Sequence, residues 1–253
     1  MIDASTFNQL VIAWIGLGLL TFIVLFFVTA PYGRHTRPGW GPTIGNRTGW
    51  LLMEAPAALV FAAMFLNGPR PYTTTSIVFL VLWQAHYVHR SFIFPFTLRG
   101  EGKQMPLLTA ALAIVFNSVN AYANGYYLFA LSGGYARDWL SDPRFLIGLA
   151  IFVLGFAINR YSDYILKRLR QPGETDYKIP EGGLYRWISC PNYLGEIVQW
   201  TGWAIATWSL PGLAFAVWTA ANLIPRARSN HRWYLDRFAD YPRSRKALFP
   251  GVW

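Results

Sequence analysis

Polar side chains interrupt this apolar chain at helical spacings in five places. Glu54 stands alone in one apolar run. In the next, Gln84, His86, Tyr87, His89 and Arg90 fall together; Tyr87 and Arg90 share a face at i,i+3, and His86 lies beside Arg90 at i,i+4. Asn159, Arg160 and Asp163 break a third run, and Arg170 continues their face seven residues beyond Asp163. Asn192, Glu196 and Gln199 repeat at spacings of four and three, and Asn222, Arg226, Asn230 and Tyr234 form a stripe at successive i+4 steps. Arginines with Asn amides and Tyr hydroxyls are natural donors for phosphate and ribose, because a guanidinium can grip phosphate through two parallel N–H bonds. Each charge taken singly has a plainer use as an interhelical ion pair, Glu54 with Arg90 or Asp163 with Arg160. Taken together, the five faces imply a wet, charged cavity, since unpaired polar groups do not face lipid.

The soluble nucleotide-binding motifs are missing. No G-x-G-x-x-G follows a strand and no G-x-x-x-x-G-K-[ST] occurs, so a dinucleotide would not be held in the Rossmann or P-loop manner. Gly41, Gly45 and Gly49 lie in a loop and read as turns. His86 and His89 have only His35 and His231 besides them, and Cys190 is the single cysteine, so neither a metal cluster nor a disulfide framework is expected. Trp50, one turn before Glu54, is placed to wall a flat apolar ligand.

These side chains must be positioned by membrane helices. Of 253 residues 54% are hydrophobic and only 13% charged, about half the charge of an ordinary soluble domain. Apolar stretches long enough to cross a bilayer, roughly 20 residues each, run over 7–28, 50–66, 76–96, 106–129, 145–166 and 193–209, with a shorter seventh over 211–224 extended by an amphipathic helix from Pro225. The expected fold is all-α: a polytopic bundle of about seven transmembrane helices forming one domain over 1–253, whose part 145–253 carries most of a cofactor site. The first stretch lacks a basic leader and a cleavage site and reads as a mature span. Most of the 22 Lys and Arg fall in connections on one side, including Arg34, Arg37, Arg99, Arg168, Arg186 and Arg226, whereas the other side holds Arg70, Arg137 and Arg144. The positive-inside rule then puts the N-terminus outside and the C-terminus in the cytoplasm. The net charge of +10 comes without a basic helix or zinc-ligand spacing, so nucleic acid is not an expected partner.

Several runs resemble the steroid 5α-reductase family: DYKIPEGGL from Asp176 to Leu184, CPNYLGEI from Cys190 to Ile197, the stretch from Ala204 to Leu213, and DYPRSRKALFP from Asp240 to Pro250. Upstream, AHYVHRSF from Ala85 to Phe92 and WLLMEAP from Trp50 to Pro56 are similar too. The resemblance covers nearly the whole chain and is densest after Asn159. It implies a seven-helix membrane enzyme that uses NADPH to reduce the Δ4 double bond of a 3-oxo-steroid or similar enone lipid. Glu54 and Tyr87 fall at the positions of the family's catalytic carboxyl and hydroxyl. Arg90, Asn159, Asp163, Arg170, Tyr177, Asn192, Glu196, Arg226, Asn230 and Tyr234 fall at cofactor-contacting positions. Trp50 and Met53 are the expected substrate contacts. Two departures stand out: Met53 where steroid-specific members carry Gln, and Asn230 where they carry His. The compact chain is similar to bacterial members, so the implied setting is a monomer in a bacterial inner membrane, in contact with its lipids.

The implied chemistry is polarisation of a carbonyl. Hydride addition to an enone puts negative charge on its oxygen, and a donor aimed there lowers the barrier. The Tyr87 hydroxyl can donate; Glu54 can donate only when protonated, a state that burial favours and Arg90 opposes. Two other readings are compatible with the residues. An isoprenylcysteine-type methyltransferase shares the C-terminal Asn, Glu, Arg and Tyr pattern but binds S-adenosylmethionine, which lacks the phosphates that the arginines suit. A non-enzymatic sterol-binding bundle would use Glu54 and Tyr87 for pairing alone. The polar segment after Pro225 is expected to fray unless a bound cofactor orders it, with Arg228, Arg232 and Arg245 meeting headgroups or solvent.

Overall fold

The computed structural model describes residues 2–69, 72–97, 102–171, 174 and 176–253; Arg70 and Arg99 of the orientation count lie outside these. Among the described residues the chain forms seven long helices and one small sheet. The long helices are α1 (Ala4–Phe27), α2 (Asn46–Asn67), α3 (Thr74–Val88), α5 (Leu107–Tyr126), α6 (Pro143–Arg168), α7 (Pro191–Thr207) and α8 (Leu210–Arg237), with a four-residue α4 (Phe94–Thr97) between α3 and α5. Strands β1 (Thr43–Gly45) and β2 (Gln104–Pro106) pair antiparallel, Ile44 opposite Met105. Five helical segments are long and apolar enough to cross a membrane: Ala4–Phe27, Asn46–Asn67, Thr74–Thr97, Leu107–Leu131 and Pro143–Arg168. The chain is therefore an all-α, multi-pass integral membrane protein. The sixth and seventh expected spans fall on α7 and α8. Pro225 does not divide the latter: α8 runs through it as one helix of 28 residues.

The chain packs as two compact units, one of Met1–Phe7 and Ala30–Asp142, the other of Asn8–Thr29 and Pro143–Trp253. In the first, side chains reach across to the carbonyls of α2. Trp83 donates its indole N–H to the Ala57 carbonyl at 2.9 Å, Gln84 its amide to Ala58 at 2.8 Å, and Asn117 its amide to Met53 at 2.6 Å. In an apolar medium such bonds replace the water that polar groups lack, and they fix the register of α3 and α5 on α2. Gln84 is thus a structural clasp. Around it Phe61 stacks on Trp83 with centroids 4.3 Å apart and planes 7° apart, and Phe129 meets both Phe61 and Phe65 edge-on.

The second unit is built on backbone contact. Gly148 and Gly155 of α6 face Ala206 and Gln199 of α7, while Gly195 and Gly202 of α7 face Asn159 and Phe152 of α6. A Cβ on any of these four glycines would collide with main-chain atoms of the partner helix. Small residues at seven-residue intervals on both helices are what allow this approach. α7 ends at Trp208, whose φ of 44° makes a left-handed turn, and Ser209 caps α8 by accepting from the Gly212 N–H at 3.1 Å. Trp218 of α8 donates to the Trp14 carbonyl of α1 at 2.9 Å.

Residues 238–253 do not fray. Lys246 N–H donates to the Trp187 carbonyl at 2.9 Å, and Ser189 N–H donates back to the Lys246 carbonyl at 2.8 Å. Leu248 is fully buried against Cys190 and Ala227. This stitching corrects the expectation that only a bound cofactor orders the segment.

Candidate active site

In the first unit, Glu54 lies in the third turn of α2, two residues before Pro56. α3 leads through Tyr87 into a widened π turn, His89–Ile93, closed by the Phe94 N–H on the His89 carbonyl. Such turns are frequent at functional sites. Arg90 in this turn reaches Glu54, Nε to Oε1 3.9 Å, with both side chains about one-seventh exposed (15% and 13%). Its guanidinium also lies over the rings of Trp50 and Phe94, 4.7 and 4.6 Å from their centroids. The interhelical ion-pair use of Glu54 is thus realised, within an aromatic enclosure that Trp50 and Phe94 close edge-to-face. Tyr87 is buried, 5.0 Å from the rings of Trp83 and His86. On α3 Tyr87 falls between Trp83, which bonds the Ala57 carbonyl of α2, and Arg90, which reaches Glu54 of α2. Met53 is packed with Met105 and Ala110, beside Trp50, so its thioether fills core volume.

In the second unit the close packing of α6 on α7 brings three expected residues together. Asn159, buried opposite Gly195, donates its amide to the Asn192 carbonyl at 3.0 Å and to Glu196 Oε1 at 3.2 Å. Arg170 lies over the Tyr177 ring at 5.2 Å, and Tyr177 in turn meets Trp233 edge-on at 4.9 Å. Asp163 sits half-buried between these groups on α6. Along α8, Arg226, Asn230 and Tyr234 are all buried. The Asn230 amide is directed at the Tyr193 hydroxyl, 3.2 Å, and the Cys190 sulfur, 3.7 Å.

Behind that stripe lies a hydrogen-bonded cluster. Ser189 Oγ is 2.6 Å from His231 Nδ1 and 2.7 Å from the Tyr241 hydroxyl. Tyr241 stacks on Tyr234, centroids 5.0 Å apart and planes 8° apart, and Arg245 lies over its other neighbourhood at 5.2 Å. Burial, reinforced by Lys246, holds the His231 imidazole below its ordinary value. Burial also raises the Tyr241 phenol, against the opposing pull of Ser189 and Arg245. Arg245 is not at headgroup or solvent level as expected. It is buried, and its Nη1 donates to the Pro180 carbonyl at 2.9 Å.

A family model described as 3-oxo-5-alpha-steroid 4-dehydrogenase matches residues 103–253. The chain is also 43% identical over 238 residues to 3-oxo-5-alpha-steroid 4-dehydrogenase 1 of Bos taurus, covering 92% of each. It belongs to the steroid 5α-reductase family. Identity to steroid 5-alpha-reductase DET2 of Gossypium hirsutum is 40% over 255 residues, covering 99% of both chains. The human 3-oxo-5-alpha-steroid 4-dehydrogenase 1 is 42% identical over 221 residues, 87% of this chain and 85% of that one.

Membership of a steroid 5α-reductase family removes the methyltransferase alternative. It also directs attention to residues that the spacing did not single out. Phe94, Tyr193 and Trp233 each touch an expected site residue, yet an aromatic in an aromatic-rich chain carries no signal of its own. Ser189, His231 and Tyr241 meet only because residues 238–253 fold back, which no periodicity announces.

Proposed function

We propose that the protein is an NADPH-dependent 3-oxo-steroid 5α-reductase acting on the Δ4 bond of a steroid or similar enone lipid. The likeness to 3-oxo-5-alpha-steroid 4-dehydrogenase 1, spread over 92% of both chains, carries the reading. In it, the Tyr87 hydroxyl donates to the substrate's carbonyl oxygen as negative charge gathers there. Glu54, held by Arg90, fixes the polar end of the same enclosure, and Trp50 offers a flat apolar wall. A preorganised donor in such a low-dielectric setting typically lowers the barrier by about 3–4 kcal/mol.

The donor set of the second unit fits a dinucleotide. Arg226 is buried and Arg170 half-buried, suiting phosphates; Asn159, Asn192 and Tyr177 suit ribose and amide groups, and Glu196 and Asp163 supply acceptors. NADPH, when bound, supplies the hydride; the chain's own residues bind, orient and exclude water. Arg226, Asn230 and Tyr234 form one wall for it, and Tyr241 and Ser189 keep Tyr234 in place. The reading carries a monomer in a bacterial inner membrane, as for the compact members the chain resembles, and the Lys/Arg asymmetry puts its N-terminus outside. Purified protein should oxidise NADPH only when a 3-oxo-Δ4-steroid is added, with the 5α-reduced ketone as product. Oxidation indifferent to the steroid, or none with a panel of such enones, would contradict the assignment.

A further inference from the structure

Apart from these residues, the second unit carries an open cleft of about 550 Å³ between the C-terminal half of α6 and the short helix Gly183–Arg186. Ala157, Ile158 and Leu184 make its walls apolar. Ser162 also lines it, but its hydroxyl donates to the Ile158 carbonyl at 2.7 Å and so offers the cleft little polarity. Two large aromatics stand at the mouth with more than half their surface exposed, Tyr161 at 56% and Trp187 at 55%. Gly183 keeps the mouth open: its φ is +50°, and any Cβ there would strike the Tyr161 ring.

Beyond the mouth the surface is cationic. Arg186 lines the cleft itself. Arg168 lies over the exposed Tyr164 ring at 4.8 Å, next to Lys167 in the last turn of α6. Glu181 and, farther off, Asp176 are the exposed acids among the described residues of this stretch, against the exposed Lys167, Arg168 and Arg186, so positive charge prevails near the mouth. α6 is itself long and apolar enough to span the bilayer. Tyr161 therefore sits about 10 Å inside its end, at ~1.5 Å per residue, the level of the acyl–glycerol boundary, with the cations at headgroup level. A steroid ketone would find no buried donor in this cleft. A chain that is apolar along its length and anionic at one end finds both of its partners.

We propose that this cleft is a binding site for an anionic glycerophospholipid of the surrounding membrane, one acyl chain lying along Ala157, Ile158 and Leu184 and the phosphate held by Arg186 and Arg168. The test uses the full chain, delipidated in detergent and titrated with phosphatidylglycerol or phosphatidylcholine, with retained lipid counted by native mass spectrometry. One phosphatidylglycerol should be retained about 30-fold more tightly than phosphatidylcholine, as two cations near an anionic headgroup would give. The double variant R168Q/R186Q should abolish that preference. Ala157→Phe, on an exposed face of α6 where folding is not at stake, should expel the lipid while leaving the cations intact. Equal retention of the two lipids would overturn the site, as would a preference that survives R168Q/R186Q. A preference lost in that double variant but kept in Ala157→Phe would mean headgroup attraction with no seated chain, and would overturn the cleft as its location.

Discussion

In the first unit α2 is held by side chains that reach its carbonyls, Trp83, Gln84 and Asn117; in the second, α6 and α7 touch backbone to backbone at four glycines. The two devices tolerate error differently. A clasp made of side chains and stacked rings can yield by a rotamer. Two backbones in contact cannot, because packed interiors do not deform continuously. Each suits what it carries. Asn159, Asn192 and Glu196 are set by the α6–α7 contact itself, a rigidity that under the proposed reading serves recognition of a polar cofactor. Of the other three, only Arg90 sits in the π turn, Tyr87 lying on α3 just before it and Glu54 on α2; under the proposed reading such a looser, side-chain-built enclosure suits an apolar substrate.

The largest expected effect breaks the second unit. Gly155→Leu should leave almost no folded protein by size-exclusion chromatography in detergent, since its side chain would have to occupy the space of the Gln199 backbone. Gly125→Ala in the first unit would bring a Cβ to 2.7 Å from Met64 Cβ and near the Phe61 ring, a clash with side-chain rather than main-chain atoms that a small helix shift relieves at about 1–3 kcal/mol, visible as a lowered melting temperature with fold retained. Gly16→Ala, where nothing stands within 4 Å, should be silent. If all three behave alike, the contrast between the units is wrong.

A smaller effect separates binding from packing. Arg226→Ala should weaken NADPH binding, measured by nicotinamide fluorescence, by roughly 1.5–3 kcal/mol if a charge-assisted bond is lost. Tyr241→Phe keeps the stack on Tyr234 and loses the hydroxyl's interactions with Ser189 and Arg245, so it should raise the NADPH KM a few-fold with little change in kcat. A large fall in kcat would show that this cluster does more than position Tyr234.

The smallest is a pH dependence confined to the C-terminal segment. His231 is depressed below its ordinary 6.5 in the folded chain, so below about pH 6.5 the unfolded segment takes up a proton that the folded one resists. The stability of the segment is therefore retained above that value and declines as pH falls through the folded value. Protection factors in residues 238–253, exchange rates corrected for the intrinsic pH dependence, should fall on going from pH 7.5 to 5.5, and His231→Asn should flatten the response. A fall spread evenly over α2 and α5 would point to another cause.

Much of this was legible in the chain because membrane helices advertise themselves. The polar stripes of α6, α7 and α8 could be read at their spacings, and the structure brings Asn159, Asn192 and Glu196 to one place. The glycine register was present but silent: Gly148 and Gly155, or Gly195 and Gly202, acquire meaning only as a pair of helices. The π turn at His89–Ile93 leaves no compositional trace, so Phe94 as a second ring on Arg90 was out of reach. Arg245 was misjudged because its partner is a backbone carbonyl, that of Pro180, which no side-chain pattern encodes.

The division of labour between the units is tested most directly by Tyr87→Phe, with turnover and NADPH affinity measured on one preparation. Turnover of a 3-oxo-Δ4-steroid should fall about 100- to 1000-fold, as for loss of one oxyanion donor, while the NADPH dissociation constant stays within about twofold. Unchanged turnover, or a loss explained by weakened NADPH binding, would contradict the assignment of carbonyl polarisation to the first unit.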